Sequence, residues 1–267
     1  MTYINCEKYA QEILDEVKQV KHNKYFAIVS VGDNPASQSY IKGKIKDCEY
    51  CGIPYIHIHI DVKDDTEAKY KLEEKLYSLR MDDKISAIIL QLPLPQGWNE
   101  QYYLSLIPSH KDVDGLTRDS KFLPCTPEGI VYVLKKELGN LEGKTALIIG
   151  RGELVGRPLF DMLLKENCTV TMAHSKTRNL ESMLKSYDII VVAVGRPNLV
   201  DLLKCDAQIV IDVGVNRVDG KLCGDCFNFD EETSKNMLIT PVPKGIGLIT
   251  RAMLMKHIAE INKKEET

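Results

Sequence analysis

Apolar residues along this chain fall into two groups of short strand-like runs, separated within each group by helix-length spacers. The first group is "YFAIVSVG" (25–32), "YIHIHI" (55–60) and "SAIILQLPLP" (86–95), the last ended by its prolines. An opening helix with apolar positions Tyr9, Ile13, Leu14, Val17 and Val20 precedes them. A helix from about Ser39 to Cys51, stopped by Gly52 and Pro54, and a charged helix near 65–80 separate them. The second group is "TALIIG" (145–150), "TVTMAHS" (169–175), "DIIVVAVG" (188–195) and "QIVIDVG" (208–214), four runs of the kind buried on both faces. The helix "TPEGIVYVLKKEL" (126–138) and the turn "GNLEGK" join the groups, and "LITRAMLMKHIAEI" (248–261) is a last helix able to return to the first. The alternation predicts an α/β protein with parallel sheets and two domains. Residues 1–138 with 248–267 form the first, and 139–247 form a doubly wound second one.

Composition narrows the partners. A net charge of -3 over 267 residues gives no basic field for nucleic acid. No apolar run reaches membrane-spanning length, and the acidic start "MTYINCEKYAQEILDEV" lacks the layout of a signal peptide, so a cytoplasmic protein acting on a small molecule is expected. Eight cysteines include the pairs Cys48/Cys51 and Cys223/Cys226. Cys48 continues an apolar stripe with Ile41 and Ile45 and is expected to be a core thiol, "LCGDC" sits in a turn-rich stretch, and the pairs are far apart in sequence and in different predicted domains, so no metal site is assigned.

Chemistry gathers at four places. In "IIGRGELVGRP" (148–158), Gly150, Gly152 and Gly156 read G-x-G-x-x-x-G between a strand and a helix expected near Val155, where a pyrophosphate meets free N–H groups and the positive end of a helix. The next strand ends in Ser175, Lys176 and Arg178 without the acid that binds ribose hydroxyls in NAD sites. With Arg151 this corner suits a ribose phosphate, which favours NADP. Tyr40 and Lys44 are four apart and share a helix face, a setting for a proton-carrying lysine of lowered pKa. Gln91 is expected at the end of a central strand, where doubly wound sheets place ligands. "KDVDG" (111–115) offers Asp112 and Asp114, able to bind a metal or the amidine-like edge of a heterocycle, or to cap a turn. "TPVPKGIG" (240–247) reads as a stiff, shaped loop.

With "SQSYIKGKIKDCEYCGI", "QLPLP", "KDVDG", "PCTPEGI", "GRGELVGRP", "TVTMAHSKT", "DVGVN", "GD" (224–225) and "TPVPKGIG" in this order, the chain resembles the bifunctional methylenetetrahydrofolate dehydrogenase/cyclohydrolase family over nearly its whole length. The resemblance implies an N-terminal α/β folate-binding domain and a C-terminal Rossmann-type NADP-binding domain with a cleft between them. It also implies a homodimer and tetrahydrofolate derivatives as partners. Methylenetetrahydrofolate would give a hydride to NADP+, and water would convert the methenyl product to formyltetrahydrofolate. Lys44 matches the family's catalytic lysine, Tyr40 a tyrosine stacking on folate, Gln91 a glutamine polarising the site and Asp114 the aspartate that binds the pterin. Leu92, Pro243 and Gly245 match further substrate contacts. Gly150, Arg151, Gly152, Ser175 and Val215 match the cofactor site.

Three positions depart from the family pattern. Gly152 stands where a serine is usual. In the loop usually reading P-V-P-G-G-V-G-P-M-T, Lys244 replaces the first glycine, while Leu248 and Ile249 replace the proline and methionine. Lys244 would add bulk and charge beside a ligand, with a folate glutamate tail or a cofactor phosphate as its contact. Two rivals stand beside this reading: another NADP-dependent dehydrogenase on a similar frame, and a binding protein that has lost catalysis.

Overall fold

The computed structural model describes residues 2–229 and 237–265, with side chains to 263. In chain order, β1 (Thr2–Tyr3) and α1 (Cys6–Val17) precede β2 (Tyr25–Val31), α2 (Pro35–Cys51), β3 (Tyr55–Ile60), α3 (Asp65–Met81), β4 (Ile85–Leu90) and α4 (Glu100–Ser105). Helix α5 (Cys125–Leu138) leads to β5 (Thr145–Ile149), α6 (Gly156–Lys165), β6 (Thr169–Ala173), α7 (Leu180–Met183), β7 (Ile189–Val192), β8 (Val200–Asp201) and β9 (Ile209–Asp212). The hairpin β10 (Asn216–Val218) and β11 (Lys221–Cys223), then β12 (Cys226–Phe227), β13 (Leu238–Ile239) and α8 (Ile246–Glu265), complete the chain.

These elements form two compact units, Gln11–Cys125 with Arg251–Thr267, and Met1–Ala10 with Thr126–Thr250. The division falls at 125/126, before the boundary read from the apolar pattern. Beyond Cys125, helix α5 finds its partners in the second unit: Thr126 Oγ1 lies 3.0 Å from Thr250 Oγ1, Tyr9 donates to Glu137 at 2.8 Å, and Lys135 pairs with Glu166 at 2.7 Å.

The first unit carries a parallel sheet in the order β3-β2-β4. Strand β2 is central and buried from its second residue on, whereas β3, at an edge, alternates toward solvent. Helix α2 begins four residues before the periodic pattern suggests. The Asn34 side chain accepts from the N–H groups of Ala36 and Ser37, and Pro35 occupies the first turn, where its missing N–H costs nothing. Helix α3 buries Ala68, Leu72, Leu76 and Leu79 as one stripe against the sheet, each full leucine burial contributing about 1.5–3 kcal/mol. The buried ammonium of Lys111 closes the C-terminal end of α3 by donating to the carbonyls of Leu79, Arg80 and Asp82.

The second unit holds a six-stranded sheet, β1-β13-β9-β7-β5-β6, parallel throughout. Two strands join the four expected: β13, and β1 from residues read as the approach to the first helix, too short to show any periodicity. Strands β5, β7 and β9 are buried on both faces as expected, but β6 is an edge strand and only its last residue is buried, which corrects the reading of all four as interior. Eight free cysteines lie along the chain; Cys48 and Cys51 are buried, Cys48 Sγ 3.7 Å from Met255 Sδ and Cys51 Sγ bonded to the Leu14 carbonyl.

Candidate functional site

Lys44 is the one lysine of α2 that folding removes from water. Along α2 the buried positions are Ser37, Ile41, Gly43, Lys44, Asp47, Cys48 and Cys51, so the helix turns a mixed face inward. Strand β4 ends at Leu90, and Gln91 follows it, its N–H still bonded to the Val29 carbonyl. The strand is an edge of the sheet, not its centre, and "QLPLP" lies beyond it, with a cis peptide bond at Leu92–Pro93. The Lys44 ammonium donates to Gln91 Oε1 at 3.0 Å, and Gln91 Nε2 donates to the Leu92 carbonyl at 2.7 Å, which also accepts from Ser37 Oγ at 3.3 Å. Gln91 is thereby held at both ends of its amide, and the ammonium is held by Gln91.

Burial pushes the Lys44 pKa down, and the Asp114 carboxylate is the strongest force opposing it. Burial also raises the Tyr40 phenol, four residues earlier on the same face. A buried lysine of lowered pKa next to an amide and a carboxylate gives up its proton more readily than a solvated one. Tyr40, Lys44, Gln91, Leu92 and Asp114 thus belong to one unit, and Lys44 has direct or electrostatic contact with Gln91 and Asp114.

The two aspartates of "KDVDG" have different fates. Asp112 is almost fully buried and accepts from the Gly115 N–H, the Thr117 N–H and Thr117 Oγ1, so its carboxylate is used up inside the turn. That rules out the paired-carboxylate metal reading. Asp114 keeps its carboxylate toward Lys44 and is partly exposed.

In the second unit, Gly150 has φ 122°, and a Cβ there would lie 2.2 Å from the Ala193 carbonyl oxygen. A Cβ at Gly156 would lie 2.1 Å from the carbonyl oxygen of Gly150. Both glycines are required by this close return of the chain, and Gly152 is not: nothing lies within 4 Å of its Cβ position. Helix α6 starts at Gly156, and Val155 before it offers no side-chain acceptor to the first turn. An uncapped helix start behind a glycine-rich turn fits the pyrophosphate of a dinucleotide.

Beside it, β6 ends in a turn tied by Thr177, whose N–H donates to the His174 carbonyl and whose Oγ1 accepts from the His174 N–H. The turn leaves Ser175, Lys176 and Arg178 exposed, as Arg151 is after the adjacent strand β5. Val215 is exposed and Gly245 buried, its Cβ position 2.1 Å from the Pro241 carbonyl, and Pro243 follows a cis peptide bond. Lys244 stands at φ 73°, where a side chain is unfavourable, and its ammonium pairs with Glu7 at 3.0 Å.

Two further groups were missed by sequence reasoning. Asp225, of the "GD" pair, accepts from the N–H groups of Val194, Gly195 and Arg196 and from Asn216 Nδ2, so it anchors the loop after β7. Asp212, buried and raised in pKa by that burial, accepts from Gly214, Asp225 and Cys226. Arg251 and Asp47 pair in the first unit, with Nε 2.8 Å from Oδ2. A lone arginine inside "LITRAMLMKHI" was the available signal for the latter.

Comparison with known proteins agrees with both halves. Residues 4–114 match the family model described as the tetrahydrofolate dehydrogenase/cyclohydrolase catalytic domain, and 124–266 match that of its NAD(P)-binding domain. The bifunctional protein FolD of Bacillus cereus is 41% identical over 274 residues, covering 97% of this chain and 94% of the relative. Among solved structures, the bifunctional methylenetetrahydrofolate dehydrogenase/cyclohydrolase of Campylobacter jejuni superposes with a TM-score of 0.90 at 37% identity, covering 99% of both chains. The Trypanosoma brucei enzyme, solved with NADP and an inhibitor, gives 0.89 at 28% identity over 99% of this chain and 98% of that one. Each half of the chain thus matches on its own and in the same order, and the protein belongs to the tetrahydrofolate dehydrogenase/cyclohydrolase family.

Proposed function

We propose that the protein oxidises 5,10-methylenetetrahydrofolate to the methenyl form and hydrolyses that product to 10-formyltetrahydrofolate, with NADP+ preferred over NAD+. The observation that carries the reading is the buried Lys44, lowered in pKa and bonded to Gln91 Oε1. The first reaction needs orientation more than acid catalysis, because the cation left when the methylene carbon loses hydride is stabilised by the nitrogens on both sides of it. When bound, NADP+ supplies the hydride acceptor. The turn from Gly150 to Gly156 would hold its pyrophosphate, Arg151 and Ser175 its ribose phosphate, and Val215 would lie beside it.

In the hydrolysis, water adds to the methenyl carbon and the bond from that carbon to N5 breaks. One water proton ends on N5 and the other leaves to solvent. Lys44 takes the proton from the attacking water, while Gln91 fixes the amine. Asp114 binds the pterin, Tyr40 stacks on it, and Leu92 lines the folate. The unit of β2, β3 and β4 would carry the folate chemistry and the unit of the six-stranded sheet the nucleotide. A cytoplasmic homodimer completes the proposal, and sedimentation equilibrium tests its second part.

The deciding assay follows absorbance of methenyltetrahydrofolate and of the reduced nucleotide with NADP+ and NAD+ side by side, then methenyl decay without nucleotide. Reduction of NADP+ with faster methenyl decay than the buffer rate is expected. Binding of both ligands without either signal would overturn the reading in favour of a non-catalytic binding protein.

A further inference from the structure

Arg251 is the one charged residue of α8 from Ile246 to Met255, and its side chain is folded inward, 22% exposed, onto α2. Besides the contact of Nε with Asp47 Oδ2, Nη2 donates to Asp47 Oδ1 at 3.4 Å. Asp47 is 10% exposed. The guanidinium also requires a missing side chain: a Cβ at Gly43 would lie 1.8 Å from Nη1 and 2.7 Å from Cζ. Positions 40, 43, 44 and 47 fall within one arc of about 100° on a helix of 3.6 residues per turn. A fixed cation therefore lies against the face of α2 that carries Tyr40 and Lys44.

Stability alone does not account for this pair. A buried ion pair commonly does no better than an apolar replacement, because desolvation offsets the attraction. This one is also poorly aligned: Arg251 Nε and Asp47 Oδ2 are close, yet neither completes a directed hydrogen bond. Burial even pushes the Asp47 carboxyl upward, against the pull of Arg251. What the pair does accomplish is to place positive charge beside Lys44. The groups facing Lys44 are Gln91 after β4, Asp114 from the following loop, Cys125 at the start of α5, Cys48 on α2 itself and Arg251 from α8. Asp114 favours the ammonium, and Arg251 opposes it.

We propose that Arg251, seated by Asp47 and by the absent side chain of Gly43, is a positioning residue for hydrolysis, setting the protonation state in which Lys44 meets the methenyl substrate. The inference rests on Lys44 acting as the base. It makes Gly43, Asp47 and Arg251 one device: the glycine gives room, the aspartate fixes direction, and the arginine favours the lysine amine over its ammonium.

The test is the pH profile of cyclohydrolase kcat/KM in the double variant Asp47→Ala/Arg251→Met, which leaves no orphaned buried charge. The limb on which activity rises with pH is expected to move to higher pH, with a three- to tenfold loss at pH 7 that is recovered at high pH. Dehydrogenase kcat should stay within twofold. Arg251→Lys keeps the charge and should keep the limb in place, whereas Arg251→Gln should move it, and this second pair decides the matter if the double variant does not fold. A limb unmoved in folded variants without the charge overturns the proposal. Lys44→Met, run in parallel, separates the two levels: full cyclohydrolase activity there would sink the role of Lys44 itself, while its loss alongside an unmoved limb would sink only that of Arg251.

Discussion

The two units carry their chemistry in opposite ways. The unit of β2, β3 and β4 relies on side chains withdrawn from water, Lys44 and Asp112 buried and Gln91 half-buried, each bonded to named partners. The unit of the six-stranded sheet relies on backbone. Gly150 and Gly156 contribute no side chain, and Arg151, Ser175 and Val215 stand exposed. Burial shifts protonation equilibria and costs stability, which suits proton transfer; open backbone N–H groups cost little and suit a phosphate-bearing ligand. The contrast teaches that substitutions should divide cleanly: in the first unit they change rate and pH dependence, and in the second they change nucleotide affinity.

Lys44→Met should break that contrast most severely. Loss of a general base lowers cyclohydrolase activity by roughly 10²–10⁴-fold. The dehydrogenase should lose much less, and an equal loss of both activities would make Lys44 a binding residue. Stability should move the other way. The folded-state pKa of Lys44 lies below its unfolded value, so the unfolded chain binds more protons and stability rises with pH toward the ordinary lysine range. At pH 7 the wild type bears that penalty, and methionine removes it. A Tm rise of about 2–4 °C is expected for each kcal/mol regained.

Gly156→Ala attacks the other side. Its Cβ must displace the Gly150 carbonyl, which lies on backbone and cannot swing aside. A loss of about 1–3 kcal/mol in stability is expected from such overpacking, together with loss of NADP+ binding. Methenyl hydrolysis, which needs no nucleotide, should survive at temperatures where the variant is folded. If nucleotide titration shows unchanged affinity, the turn does not hold the pyrophosphate. Arg151→Ala should be milder. A charge-assisted hydrogen bond contributes about 1.5–3 kcal/mol, so the KM for NADP+ should rise roughly tenfold or more with kcat and Tm unchanged. An equal rise for NAD+ would show that Arg151 does not read the ribose phosphate.

How much of this was legible in the sequence also differs between the units. The runs at 145–150, 188–195 and 208–214 are interior strands and appear as unbroken apolar stretches, whereas β1 and β13 are two residues long and are held by pairing alone. Lys44 and Gln91 were visible as residues, but not the bond between them, which joins positions 47 apart. The separation of Asp112 from Asp114 depends on Thr117 folding back onto the first, a local event that composition does not reveal. Arg251 and Gly43 escaped notice for the same reason: their meaning is a contact between distant helices.

Lys244→Gly tests the smallest difference, at a loop position where the backbone itself favours glycine. The residue sits at φ 73°, a conformation costing a non-glycine residue about 1–2 kcal/mol. Glycine would relieve that strain but adds entropy to the unfolded chain, worth roughly 0.5–1 kcal/mol in the other direction. It also removes the ion pair with Glu7, whose partners are mostly solvated and which contributes about 0–1 kcal/mol. These contributions nearly cancel, so stability should stay within about 1 kcal/mol of wild type. Kinetics then isolate function. With its ammonium engaged by Glu7, Lys244 is expected to leave the Michaelis constants for folate and NADP+ unchanged when replaced. A rise in either constant would show that the ammonium leaves Glu7 for a glutamate tail or a phosphate, and Glu7→Gln, which frees it, should then lower the same constant.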